Sequence, residues 1–261
     1  MIKSKQTDLK NIYTEDKNML KNKRILVVGA SRGIGEAIAM GYVKEGARVV
    51  ITGRVEETLA AVTEKLREYD KDAGYIVWDV SDVSRADEVI KKAAQMMGGL
   101  DVVVNNAGII DREKLLAVDE QVWDKVFEVN VKGAYFCAQS AIKYYLENNT
   151  GDVKGKIIIV SSETGHQPHA LPYGISKWAV MGMCRGLAKY FFKDGIIVQN
   201  IAPGPVTTEM MGWSEGKSDA WGSAFTRMAH PEEIADLAIF LASDKSNRIA
   251  GMPIYINGGL N

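Results

Sequence analysis

Seven short apolar runs recur along the chain, and between them apolar residues return every three or four positions. Arg24–Val28, Ala47–Thr52, Gly74–Val77, Asp101–Val104, Lys156–Val160, Ile196–Ile201 and Pro253–Ile256 have the length and near-continuous apolarity of parallel strands buried on both faces. Ile34, Ala37, Ile38 and Tyr42, then Leu59, Val62, Leu66 and Tyr69, are spaced as helices. Ser84 to Met97, Asp119 to Glu147, Tyr173 to Phe192 and Glu232 to Leu241 complete the helical pattern. Alternation of this kind predicts an α/β fold: one doubly wound parallel sheet of about seven strands, helices on both faces. No repeat, low-complexity segment or linker divides residues 23–261, which read as one domain. Residues 1–22 are polar and mixed in charge, lack a signal-peptide core, and read as a flexible N-terminal arm.

The first strand runs directly into Gly29-Ala30-Ser31-Arg32-Gly33-Ile34-Gly35 and a helix. Strand, glycine turn and helix make a phosphate cradle, because glycine lets the backbone approach the anion and the helix start supplies N–H groups. Tight turns also use glycine for steric reasons alone. The second strand ends in Thr52-Gly53-Arg54, with no acid where an NAD-binding fold usually meets the ribose 2′-hydroxyl. Arg54 and Arg32 are instead placed to fork onto a 2′-phosphate; the plainer reading is two surface arginines. Asp79, closing the third strand, reads as an acceptor for an adenine amino group or as a turn acid. Asn105-Asn106-Ala107-Gly108 suits a strained turn under a cofactor. Asn130 interrupts a helical run, where its side chain competes for backbone bonds, and reads as a solvent-facing residue or a kink beside an active site.

Tyr173 and Lys177 are four apart and share one helix face. A free phenol, with a pKa of about 10, exchanges protons poorly near neutrality. An adjacent ammonium favours the phenolate, and a hydroxyl from Ser162 would hold a carbonyl oxygen beside it: an acid/base, its tuner and a clamp. Such a pair is common on ordinary helices and gains weight only from the remaining motifs.

Composition narrows the function classes. The chain of 261 residues is 46% hydrophobic and 25% charged, the make-up of a globular domain. Its formal charge of −1, with no basic block beyond a lysine-rich start, argues against nucleic acid or a membrane as the main partner. Cys137 and Cys184 sit singly in apolar helical patterns, which favours a reducing, cytoplasmic setting over a disulfide framework. No segment approaches the eighteen apolar residues of a transmembrane helix.

Taken together and in order, Gly29-x-x-x-Gly33-Ile34-Gly35, Asp79-Val80, Asn105-Asn106-Ala107-Gly108, Asn130, Ser161-Ser162-x-x-Gly165, Tyr173-x-x-x-Lys177, Asn200 and Pro203-Gly204 resemble the short-chain dehydrogenase/reductase family over residues 23–259. The closest look is to 3-oxoacyl-carrier-protein reductases and broad carbonyl reductases. The resemblance implies a Rossmann-type oxidoreductase that interconverts a ketone and a secondary alcohol by hydride transfer. It implies a catalytic group of Asn130, Ser162, Tyr173 and Lys177. Tyr173 would be the acid/base, Ser162 rather than Ser161 the substrate clamp, Lys177 the ribose ligand and Tyr173 tuner, and Asn130 the holder of a relay water. Gly29, Ser31, Arg32, Gly33, Ile34, Gly35, Arg54, Asp79, Val80, Asn106, Ala107, Gly108, Pro203, Gly204, Val206 and Thr207 would join Tyr173 and Lys177 around the cofactor, with NADP(H) favoured over NAD(H) on the two arginines. A substrate lid is implied at 208–230, rich in Met210, Met211, Trp213, Trp221, Phe225 and Met228. Ser162, Thr164, Met210 and Trp213 are the substrate candidates. No metal is expected, since His166 and His169 lack an evident third ligand. Eleven positions separate Ser162 from Tyr173, against thirteen common in the family, which leaves this loop's shape open. A hydroxysteroid, bile-acid or sugar-alcohol dehydrogenase, and a non-catalytic nucleotide sensor, are the alternatives. The family habit is a homotetramer or dimer packed through the helices of Asn130 and Tyr173, with Phe136, Trp178 and Met181 candidates for the interface or the core.

Overall fold

The computed structural model describes residues 18–221 and 227–259. Seven strands form one sheet: β1 (Arg24–Val28), β2 (Arg48–Gly53), β3 (Gly74–Val77), β4 (Val102–Asn105), β5 (Gly155–Val160), β6 (Ile196–Pro203) and β7 (Pro253–Ile256). Their order is β3-β2-β1-β4-β5-β6-β7 and every pairing is parallel. Seven α-helices connect them: α1 (Gly33–Lys44), α2 (Glu56–Leu66), α3 (Ala86–Met97), α4 (Glu120–Phe127), α5 (Ala134–Asn148), α6 (Pro172–Phe191) and α7 (Pro231–Ala242).

The apolar runs of β1, β4 and β5 are buried because both faces of the sheet are covered. On one face Ile38, Tyr42, Leu59, Leu66, Ile234 and Leu241 of α1, α2 and α7 close over Ile25, Val27, Val49 and Ile51. On the other, Val89, Ile90, Ala138, Tyr145, Val180 and Cys184 of α3, α5 and α6 close over Leu26, Val28, Val103, Ile157 and Ile159. Alternate residues of a strand feed opposite cores, as the two-residue period of a strand requires.

Two expectations change in detail. The helical run expected over 119–147 is broken into α4, a π-turn over Glu128–Gly133 and α5. Residues 18–22, assigned above to an arm, are anchored instead. Asn18 and Met19 donate backbone N–H groups to Glu45 Oε2 at 3.0 and 2.8 Å, and Leu20 is fully buried in the core of α1 and α7. The rest of the expected arm, and Phe225, lie outside the described residues.

Strand order reverses between β1 and β4, so the loops after these strands diverge to opposite faces and leave a crevice at their carboxyl ends. The glycine loop follows β1, Asn106–Gly108 follows β4, Ser161–Ser162 follows β5 and Gly204 follows β6. All four line one cleft of about 560 Å³.

Candidate active site

The glycine loop is shaped by contacts that exclude side chains. Gly29 has φ of +79°, and a Cβ there would stand 2.6 Å from Ala107 Cα. A Cβ on Gly35 would stand 2.2 Å from Gly29 O, in the bend where α1 begins. The Asn106 amide donates to the same Gly29 carbonyl at 2.7 Å, tying the loop after β4 to the loop after β1. No side chain caps the first turn of α1, so its leading N–H groups stay available beside the cleft. An uncapped helix start and a backbone bared by glycine fit a pyrophosphate. Arg32 and Arg54 both line the cleft, Arg54 directly after Gly53 at the end of β2, where the 2′ position of an adenosine ribose would lie in a fold of this type. Asp79 also lines it, with Oδ1 accepting from the backbone and hydroxyl of Ser81 at 3.0 and 2.7 Å. Its side chain therefore also orders the turn after β3.

The other end of the cleft holds the titratable cluster. Tyr173 sits one residue into α6, after Pro172, whose missing N–H costs nothing in a first turn. Asp111 Oδ2 accepts from Tyr173 N at 2.8 Å and fixes that turn. Asp111 was not singled out in the sequence, since nothing local marks it as a cap for a helix 62 residues away. Lys177, one turn further on, is buried; Nζ donates to Val160 O at 3.2 Å and lies 5.7 Å from the Tyr173 ring centroid. Burial pushes the Lys177 ammonium down to about 8. Burial likewise pushes the Tyr173 phenol above its ordinary value; the Ser162 hydroxyl draws it back and the Glu163 charge adds to the rise. The expectation that Lys177 lowers the phenol is thus outweighed by enclosure. The same apolar walls penalise phenolate and ammonium alike, and the cation is directed to a carbonyl.

The two serines diverge. Ser161 is turned into the sheet, its hydroxyl donating to Asn200 Oδ1 at 2.6 Å. Ser162 Oγ accepts from the hydroxyl and backbone of Thr164 at 3.0 and 3.3 Å and faces Tyr173 in the cleft. Its 3-10 turn, Glu163–Gly165, carries Glu163, whose carboxyl is raised by burial and drawn back by the Asn257 amide.

Asn130 does not line the cleft. It is buried in the π-turn, where Oδ1 accepts from Ile109 N at 2.8 Å and Nδ2 donates to Ile109 O at 2.9 Å and Ser176 Oγ at 3.0 Å. It thereby ties the loop after β4 to α6, and only Gly108 separates its Oδ1 from Lys177 Nζ: a Cβ there would lie 3.5 and 3.4 Å from them. Of the two readings of Asn130, the structure has the kink. Gly35 and Thr164 lie behind the cleft wall; the remaining expected cofactor and substrate residues line it. Thr207 Oγ1 is 3.2 Å from His230 Nδ1, and Trp213 Nε1 donates to Lys217 O at 3.1 Å. Met211 and Glu209 line the cleft as well, on the segment after β6. His166 and His169 are exposed and outside it: the His166 ring meets Tyr255 at 5.6 Å, and His169 Nδ1 accepts from Leu171 N at 3.3 Å. Glu36, Trp78, Ile109 and Glu215 line the cleft without having been marked by any motif.

Comparison with known proteins agrees with this architecture. The chain is 37% identical over 256 residues to a glucose 1-dehydrogenase of Gluconobacter oxydans, covering 94% of each chain. It is 34% identical over 251 residues to the 3-oxoacyl-[acyl-carrier-protein] reductase FabG of Staphylococcus aureus, covering 93% and 99%. The solved structure of the Pseudomonas aeruginosa RhlG/NADP active-site complex superimposes with a TM-score of 0.86 at 31% identity, covering 94% and 98%. The family model described as short chain dehydrogenase matches residues 23–218, and the chain belongs to this family of oxidoreductases.

Proposed function

We propose that this enzyme interconverts a ketone and a secondary alcohol using NADP(H), with Tyr173 as acid/base. The observation that carries the proposal is the meeting of Ser162, Tyr173 and Lys177 at one end of a cleft whose other end holds the glycine loop, Arg32 and Arg54. A bound nicotinamide dinucleotide supplies the hydride-exchanging carbon. Gly29, Gly33 and the first turn of α1 hold its pyrophosphate, and Asn106, Ala107 and Gly108 form the floor beneath it. Ser31, Ile34, Val80, Pro203, Gly204, Val206 and Thr207 wall the pocket, Asp79 meets the adenine, and Arg32 with Arg54 takes the 2′-phosphate. The NADP complex of the similar RhlG supports the cofactor reading.

Ser162 donates to the substrate oxygen, and Tyr173 gives that oxygen its proton in reduction and removes it in oxidation. Lys177 binds the ribose and partners the phenolate when it forms. Both Nδ2 protons of Asn130 are used on Ile109 and Ser176, so its side chain has no Nδ2 proton left for a relay water and instead positions the loop after β4 against α6. Ile109, Met210, Met211 and Trp213 give the substrate end an apolar wall, which suits a carbonyl compound with a hydrophobic body. Of the charged residues on this segment, Glu209 and Glu215 line the cleft and Lys217 does not, an arrangement that does not favour an acidic carrier protein. The similarity to glucose 1-dehydrogenase keeps a sugar alcohol as the second reading.

The proposed setting is a cytoplasmic homo-oligomer. Cys137 and Cys184 are free and buried, their thiols pushed up to about 12 by enclosure, which suits a reducing compartment.

The test is NADPH and NADH oxidation, side by side, over a 3-oxoacyl thioester, a 3-oxosteroid, a small diketone and a ketose. NADPH-preferring turnover is expected. Tyr173→Phe is expected to lower turnover at least 10³-fold, in line with general acid–base catalysis plus lost positioning, while cofactor affinity changes less than about threefold. Turnover surviving that substitution would refute the mechanism.

A further inference from the structure

One ion pair joins the two walls of the cleft away from Tyr173. Arg32 Nη1 stands 2.7 Å from Glu209 Oε2. Arg32 belongs to the glycine loop, and Glu209 opens a 3-10 turn, Glu209–Met211, in the segment after β6. The approach is built, not incidental. The Thr208 methyl lies 3.3 Å from where a Cβ on Gly33 would stand, so the two segments also run close together beside Gly33. Thr208 O accepts from Met211 N at 3.0 Å and Trp213 N at 3.1 Å, which closes the turn and sets the direction of Glu209. Arg32, Arg54 and Glu209 all line the same cleft.

The consequence rests on the reading that Arg32 meets a 2′-phosphate. A guanidinium attracts a phosphate by its charge and by a fork of donors. A carboxylate on one of its Nη groups takes a donor and cancels charge at the place where a phosphate of nearly two negative charges would arrive. A ribose 2′-hydroxyl is neutral and meets neither penalty. We infer that Glu209 is a cofactor-specificity residue: it competes with the 2′-phosphate for Arg32 and holds the preference for NADP(H) over NAD(H) below what the two arginines would otherwise give. The pair is exposed on both sides, so the competition is worth a few-fold and is screened by salt.

Calorimetric titration of NADP⁺ and of NAD⁺ into the wild type, Glu209→Gln, Arg32→Gln and the double variant tests this. Glu209→Gln is expected to tighten NADP⁺ roughly three- to fivefold at low salt and to leave NAD⁺ within about twofold, the range of an exposed pair plus the repulsion it adds. The gain is expected to disappear when Arg32 is already Gln, because the competition runs through that side chain. Unchanged NADP⁺ affinity in Glu209→Gln, equal tightening of both dinucleotides, or a gain that persists without Arg32 would each overturn the inference. The parent reading fails by a different sign: Arg32→Gln would then weaken NADP⁺ no more than NAD⁺.

Discussion

At Tyr173 two effects oppose each other, and enclosure prevails. The phenol lies above its ordinary value because a phenolate loses hydration between Ser162, α6 and the cleft walls, while Lys177 is itself drawn down to about 8. The direction has a kinetic consequence. Reduction uses the neutral phenol, which is present throughout the range below its pKa. Oxidation uses the phenolate, so its rate is expected to climb with pH above 7 and to be still rising near 9. Lys177→Met removes the cation that would partner the phenolate. The rising limb of kcat/KM for oxidation is expected to move to higher pH, with KM for the dinucleotide increased at least several-fold by loss of the ribose contact. Paired pH profiles of the two enzymes measure this; superimposable limbs would remove Lys177 from proton handling. Residue identity made the cluster legible, because a Tyr and a Lys four apart must share a helix face. It could not give the sign of the phenol's shift, since burial depends on distant residues such as Val160 of β5 and Gly108 of the loop after β4. The resemblance favoured Ser162 over Ser161 but supplied no physical reason for the choice. That distinction comes from Asn200, 39 residues from Ser161, which engages the Ser161 hydroxyl and leaves the Ser162 hydroxyl to face Tyr173.

Among the elements, β1, β4, β5 and β6 were the most legible, because burial on both faces leaves near-continuous apolar runs that no amphipathic helix shows, whereas β3 and β7 at the sheet edges are only partly buried. The helix expected over 119–147 was less so. Its apolar spacing continues through Asn130, and only the pairing of that side chain with Ile109 and Ser176 accounts for the wider π-turn. The start of α7 was likewise missed by a residue, and its stability has a pH signature. Glu233 Oε2 accepts from His230 N at 2.7 Å, and both its oxygens meet the Arg227 guanidinium at 2.8 and 2.9 Å. The Arg227 bonds first, and the His230 bond second, hold the Glu233 carboxyl down to about 2. A carboxyl lowered in the folded state adds stability above its unfolded value, about 4.5, and loses it as pH falls toward 2. Glu233→Gln is therefore expected to cost about 1 kcal/mol at pH 7, discounted for the exposure of the pair. The gap between the two proteins is expected to close on acidification through this range, as followed by thermal melts. A constant gap would assign the cost to packing instead of charge.

For the whole molecule, the reversal of strand order between β1 and β4 explains why motifs scattered from Gly29 to Thr207 meet in one cleft: each follows the carboxyl end of a strand. Sequence order alone could convey that convergence, but not what covers the outer helices. Trp178 of α6 is 63% exposed, and Tyr135 of α5, on the same side of the sheet, and Trp123 of α4, which packs against α6, are also exposed. Of the three residues considered for an interface or the core, Met181 is buried and Phe136 packs against that core, leaving Trp178 outside. An indole left largely in water forgoes burial worth up to about 2–3 kcal/mol, and we propose assembly through α5 and α6. Trp178→Glu places a charge at a side chain that is already 63% exposed, so the fold is expected to survive. Sedimentation velocity is expected to show a smaller species for Trp178→Glu than for the wild type, with an unchanged circular dichroism spectrum. Because Tyr173 and Lys177 lie on the same helix, turnover is expected to fall as the protein is diluted through its dissociation range. Equal sedimentation of the two proteins would move the interface to another surface and free α6 from any role in assembly.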